Sequence, residues 1–165
     1  MQQLLFIIVG SLHLCAALYA NEHYLLPEHK SDLMYTLKKK IDRAEHITIV
    51  TGELENPSLA KSIEKAIKRG ARFHLITTHH KSAAYFAKYK NTRVHLPASR
   101  DLSEKFALNL LLIDESDVCF STLAFSEAVV KRSIGEVICT TNREEIDFAQ
   151  EIKKRFTERF EDYHQ

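Results

Sequence analysis

Neither sign of charge dominates this chain. Its 165 residues carry 23 Lys and Arg against 22 Asp and Glu, a formal net charge of +1. No global field therefore draws in nucleic acid or an anionic membrane, although a local basic patch is left open. Glycine is scarce, with 4 in the whole sequence, and no Gly-rich phosphate loop or Ser-His-Asp signature is present. Low-complexity segments are missing, and so are internal repeats at solenoid periods, which excludes a repeat array. What is there is ordinary for a globular protein: 45% apolar and 27% charged residues, in a length that suits one domain. A domain of this size can bury a core without metals or disulfides.

The first twenty residues stand apart. Leu4 to Ala20 is almost wholly apolar and uncharged, interrupted by Gly10, Ser11 and His13. No Lys or Arg precedes the run, so the positive start of a signal peptide is missing. The run is also at the short end for a membrane-spanning helix. The polar switch at Asn21-Glu22-His23 nonetheless reads as targeting. Residues 1–20 are expected to be a signal peptide or an N-terminal membrane anchor, with a buried core helix ranked behind both. Residues 21–165 are expected to be a single domain, exported and then periplasmic or anchored to the membrane. Cys119 and Cys139 lie in that domain, in short apolar runs, and are expected to be two buried thiols rather than a disulfide.

Periodicity predicts the elements. A helix is expected from Ser31 to Ala44, with Leu33, Met34, Leu37 and Ile41 on its apolar side and Ser31 as its cap. Ile47 to Val50 reads as a strand. Asn56-Pro57 opens a second helix, with Asn as cap and Pro in the first turn, and Gly70 ends it. Phe73 to Ile76 is a strand, Ser82 to Tyr89 a short helix and Val94 to Leu96 a brief strand. Leu108 to Ile113 and Val118 to Phe120 form a pair around the turn Glu115-Ser116-Asp117. Ile134 to Thr140 is a last strand. A closing helix follows from Asn142, with Ile152, Phe156 and Phe160 at i+4 spacing. Helix-separated strands imply parallel pairing, and the later pair adds antiparallel edges. The fold class is α/β with a mixed sheet flanked by helices.

The informative segment runs from Phe106 to Ser126. Asn109 is a polar residue inside an apolar run, and in a strand Ala107, Asn109, Leu111 and Ile113 share one face. The stretch resembles the H-x-K-x4-D motif of the phospholipase D superfamily, with Asp114 at the Asp, Asn109 at the Lys and Ala107 at the His position. Ser121-Thr122 stands where that superfamily has Gly-Ser, Ala124 replaces an Asn, and Glu136 falls near a later Glu. Upstream, Ala66-Ile-Lys-Arg69-Gly70-Ala71 resembles the A-x-x-R-G-V that ends a helix in the same superfamily. The similarity covers roughly residues 28 to 160.

What the resemblance implies is a phospholipase D-like fold with a degenerate site. In that superfamily the His attacks phosphorus to form a phosphohistidine, and the Lys stabilises the phosphoryl charge. Ala107 offers no nucleophile and Asn109 no ammonium. The expected function is thus non-catalytic binding or assembly at the envelope. The alternative is a phosphodiesterase, nuclease-like or phospholipase-like, working through an atypical constellation or a partner chain. Single-motif relatives pair through the motif face, so a homodimer is implied. The ligand classes implied are phosphodiesters, nucleic acid or phospholipid, with membrane association through the N-terminus. No cofactor is implied. His74, His79, His80 and His95 fall near the ends of predicted strands, where α/β sites often lie. His79-His80 has no carboxylate or Cys at ligand spacing, so no metal site is assigned.

Overall fold

The computed structural model describes residues 21–104 and 106–163. The expectation for residues 1–20 lies outside the described residues, among which no helix is long and apolar enough to cross a membrane. The elements in chain order are β1 (Glu22–Leu26), α1 (Lys30–Ile41), β2 (His46–Thr51), α2 (Pro57–Arg69), β3 (Arg72–Thr77), α3 (His80–Ala87) and β4 (Thr92–Pro97). These are followed by α4 (Arg100–Glu104), β5 (Asn109–Ile113), β6 (Asp117–Ser121), α5 (Glu127–Arg132), β7 (Gly135–Thr140), α6 (Arg143–Arg159) and β8 (Phe160–Asp162).

The eight strands of the described residues form one mixed sheet in the order β1-β7-β6-β5-β2-β3-β4-β8. β2, β3 and β4 are parallel, because α2 and α3 each carry the chain back over the sheet before the next strand begins. The remaining pairs are antiparallel. β1 and β8, at the two edges, are strands that the periodicity does not predict. β1 alternates, with Tyr24 and Leu26 buried between exposed neighbours. β8 takes its first residue, Phe160, from the end of the expected closing helix.

α2 shows how local chemistry sets the frame. Asn56 Oδ1 accepts from the backbone N–H of Ser58 and Leu59, both at 3.1 Å, and Pro57 starts the helix. Leu59, Ile63, Ala66 and Ile67 face inward. Gly70 closes the helix at φ 116°, a left-handed conformation that suits a residue without Cβ. α1 differs from its expectation. It starts one residue earlier than Ser31, behind His29, and no side-chain hydrogen bond caps it.

The sheet separates two cores. On the first face Ile47, Ile49, Phe73, Leu75, Leu111, Ile113, Cys119, Val137 and Cys139 pack with Leu33, Leu37, Leu59, Ile63 and Phe86 of α1, α2 and α3. On the second face Val50, Ile76, Leu110, Leu112 and Val118 pack under Ile146 and Ala149 of α6, with Phe160 beside them. Fully burying one such Leu or Ile contributes about 2 kcal/mol, so parity along each strand is strongly held. The register sets Cys119 directly opposite Cys139, and the two form a disulfide with their Cα atoms 4.0 Å apart. This corrects the expectation of free thiols: cross-strand register, which sequence does not supply, decides the pairing.

Candidate functional site

One row of side chains crosses the first face of the sheet at a single end. Thr77 pairs with Thr51 between β3 and β2. Thr51 Oγ1 reaches Asn109 Oδ1 at 2.7 Å, and Asn109 stands opposite Ser121. The row is therefore Thr77, Thr51, Asn109 and Ser121. All four are neutral, and the first three are buried.

The hydrogen bonds of this row turn inward. Thr51 Oγ1 also lies 3.0 Å from the Glu53 carbonyl, and Thr77 Oγ1 donates to the Gly52 carbonyl at 3.1 Å. Ser121 Oγ donates to the Leu123 carbonyl at 2.7 Å and accepts from the Leu123 N–H at 3.0 Å. A row that satisfies itself adds rigidity, but it presents no charge to an incoming phosphate.

The structure divides the expected site residues. Asn109 and Ser121 are brought together. Ala107 is not on the strand with them: β5 begins at Asn109, and Ala107 is exposed in the segment before it. The expectation of one shared strand face is corrected to this extent. Thr122, just beyond β6, holds the start of β7, accepting from the Glu136 N–H at 2.9 Å and lying 3.4 Å from its carbonyl. Glu136 itself turns away. Val137 and Cys139 face the first core, so Glu136 points to the second face, where its Oε1 lies 3.1 Å from His23 Nδ1. The parity of Val137 and Cys139 is visible in the sequence and marks Glu136 as off the motif face.

Gly135 occupies the motif-face position of β7. A Cβ there would come within 2.5 Å of Leu123 Cγ and 2.8 Å of Thr122 Oγ1, so a carboxylate cannot be added without displacing Leu123. Ala124 is half-buried. Phe125 sits in the first core, and Ser126 Oγ caps α5 by accepting from the Val129 N–H at 3.3 Å.

Asp114 lies at the far end of β5, five residues and about 17 Å of extended chain from Asn109. Its Oδ1 accepts from the backbone N–H of Glu45 at 2.8 Å and of His46 at 2.7 Å, and its φ is 49°. Those two bonds fix the entry to β2, so Asp114 is a turn residue. Asp114→Ala is expected to cost about 1–3 kcal/mol, the value of charge-assisted hydrogen bonds lost. Asp114→Asn, which keeps the acceptor, is expected to cost less. Urea unfolding of the two variants checks the order.

Sequence reasoning missed two arrangements. At the ends of β2 and β3, Glu53, Glu55 and His79 bring three metal-ligating atoms within 4.8 Å of one another. The buried Ser82 hydroxyl holds His79 Nδ1 at 2.9 Å, turning Nε2 toward Glu55 Oε1 at 3.6 Å. Burial, and then the hydrogen bond and charge of Glu55, raise the Glu53 carboxyl above its ordinary value. A nitrogen and two carboxylates form a donor set of the type that holds zinc or manganese. A shared proton satisfies the same geometry. The carboxylates stand two to four residues from the β2 end and 24 or more from His79, which is why no local spacing announces them.

The second arrangement is a histidine relay that crosses β3, β4 and β8 and ends at the exposed Asp162. His95 Nε2 lies 2.9 Å from Asp162 Oδ1, and His74 Nε2 lies 2.9 Å from His95 Nδ1. With both rings neutral, His95 donates to Asp162 and His74 donates to His95. Burial first, and then His95, Lys153 and Arg93, push the His74 pKa down to about 3. These two histidines sit within strands rather than at their ends.

No family profile matches the sequence, and no curated protein sequence matches it. Solved structures do. NucT from Helicobacter pylori superposes with a TM-score of 0.78 at 19% identity, over 88% of this chain and 99% of that one. Nuc from Salmonella typhimurium, a phospholipase D family member, gives 0.72 at 16% identity, over 89% and 99%. TrmBL2, an archaeal chromatin protein, gives 0.62 at 18% identity, over 87% and 54%. The chain has the phospholipase D-like fold, a mixed sheet flanked by helices.

Proposed function

We propose that this is an exported phospholipase D-like protein that binds phosphodiesters without cleaving them, acting in binding or assembly at the envelope. The observation that carries the reading is the motif row itself: Ala107 is a methyl group outside the strand, and Asn109 is a buried amide whose carbonyl is engaged by Thr51. Covalent catalysis needs a nucleophile, and neither side chain is one. Among the structural relatives, an archaeal chromatin protein described as binding DNA by a novel mode has the same fold, which agrees with a binding role on this scaffold. Export is supported by the apolar first twenty residues and by the Cys119–Cys139 bond, which suits an oxidising compartment. Cleavage before about Asn21 and retention as a membrane anchor both fit. Two-fold pairing through the motif face belongs to the same proposal.

The test is hydrolysis of a generic phosphodiester and of single-stranded DNA by the purified mature chain, with light scattering on the same sample for the dimer. The expected rate is that of buffer. Ala107→His with Asn109→Lys is expected to restore at most weak turnover, because Leu123 still fills the space beside Gly135 and a site needs its supporting shell. Robust turnover by the unmodified chain, lost on changing Glu53 or His79, would instead favour a phosphodiesterase with an atypical constellation.

A further inference from the structure

The near-neutral net charge conceals a local imbalance. On the second face, a cleft of 880 Å³ opens between the first halves of β2, β3 and β4 and the C-terminal half of α6. Its rim carries the cations Arg72, Lys90, Arg93, Lys153 and Lys154. The carboxylates in the same lining are Asp114, Glu115 and Glu158, and Asp114 is already engaged by two backbone N–H groups. Some helix cations elsewhere are paired along their own helix: Lys68 with Glu64, Lys131 with Glu127, Arg143 with Asp147 and Arg155 with Glu151. Among the described residues, Lys90, Arg93, Lys153 and Lys154 take part in none of the ion pairs. Arg72 meets His46 Nε2 rather than a carboxylate.

A second observation comes from the cleft wall. His74 lines it, and its pKa is lowered by burial first, then by His95, with Lys153 and Arg93 adding to the shift. With five cations against three carboxylates in its lining, one of the carboxylates already engaged by backbone N–H groups, the cleft carries an excess of positive charge. The opening is of the size that holds a small ligand, and cations drawn from two strands, a loop and a helix converge on it. Arg offers phosphate a paired fork of donors and Lys a mobile point charge.

We propose that this cleft is a binding site for phosphoryl anions, at the opposite end of the sheet from the motif row. The shared ligand chemistry is two or more adjacent phosphate groups, whether free, as in a polyphosphate, or strung along a nucleic-acid strand. The site deepens the phosphodiester-binding reading above, yet does not depend on the loss of catalysis.

The experiment is NMR titration of the histidine rings together with calorimetry, using the full mature chain. Pyrophosphate and a single-stranded DNA hexamer are the two probes. Binding of either is expected to shift the His74 ring signals and to raise the pH at which this ring takes up a proton. Arg93→Glu with Lys153→Glu is expected to weaken binding at least tenfold, while Lys68→Glu, on the far side, leaves it unchanged. Circular dichroism confirms that the variants are folded, and Arg93→Gln with Lys153→Gln replaces the first pair if they are not. Tighter, steeply salt-dependent binding of the hexamer identifies a strand as the source, and equal or tighter binding of pyrophosphate identifies a free anion. Absence of binding by both probes at millimolar concentration and low salt overturns the site. So does binding that the cleft variants leave intact. Hydrolysis of either probe bears on the catalytic reading and not on this one.

Discussion

Removing the Cys119–Cys139 bond is expected to lower the unfolding free energy by about 3 kcal/mol, or roughly 10 °C in Tm. The bond spans 20 residues of sequence, and the loop it closes carries Ser121, Thr122, Ala124, α5 and Glu136. Cutting it frees that loop in the unfolded chain, where the entropy gained favours unfolding. In the folded chain both sulfurs are buried against the first core, so Cys119→Ala with Cys139→Ala also leaves a small void. Chemical reduction of the unmodified protein separates these contributions, because it breaks the bond and keeps the atoms. The urea midpoint is expected to fall in both experiments, slightly further in the double variant. Two alkylatable thiols in the non-reduced domain, or a midpoint that ignores reductant, would sink both this expectation and the support that the bond lends to export.

The sequence announces most of the central sheet. Asn56-Pro57 and Gly70 bracket α2 because capping and left-handed backbone are local demands, met by particular residue types. The hairpin β5–β6 is legible because an apolar run ends in a polar turn. The edges are not legible. β1 is five residues that become a strand only by pairing with β7, and β8 is three residues whose start, Phe160, also fits the i+4 spacing of α6. α4 and α5 are five and six residues long, too short for periodicity to register.

At the site, the face of Asn109 follows from strand alternation, while the exclusion of Ala107 follows from where pairing with β6 begins. Distance along the chain puts Glu136 near the motif's later Glu, whereas the alternation of Val137 and Cys139 turns it to the other face. Thr51, Glu53 and His79 join the site only through the parallel alignment of β2 with β3. Charge balance over the whole chain likewise says nothing about where the charges gather, and the basic cleft is invisible until α6 lies across the strands.

Acidification is expected to destabilise the protein well above the range where carboxylates titrate. His74 has a pKa of about 3 when folded and an ordinary value near 6.5 when unfolded. Between those values the unfolded chain binds a proton that the folded chain refuses. The stability linked to His74 is therefore complete above about pH 6.5, falls as the pH drops below it and levels off near pH 3. The loss by pH 5 is about 2 kcal/mol, from 1.36 kcal/mol per unit. His95 acts in the same direction, since burial lowers its pKa although Asp162 opposes the shift. His74→Gln keeps a donor toward His95 and carries no titrating ring, so it is expected to flatten the dependence between pH 7 and 5. The measurement is the urea midpoint of both proteins across that interval at constant ionic strength. Equal slopes would show that His74 accepts a proton in the folded state, and the relay from His74 through His95 to Asp162 would then not be the neutral chain that its geometry describes. Pyrophosphate adds a further check. An anion in the cleft offsets the charges of Lys153 and Arg93, so His74 should protonate more readily and the slope should become shallower in its presence.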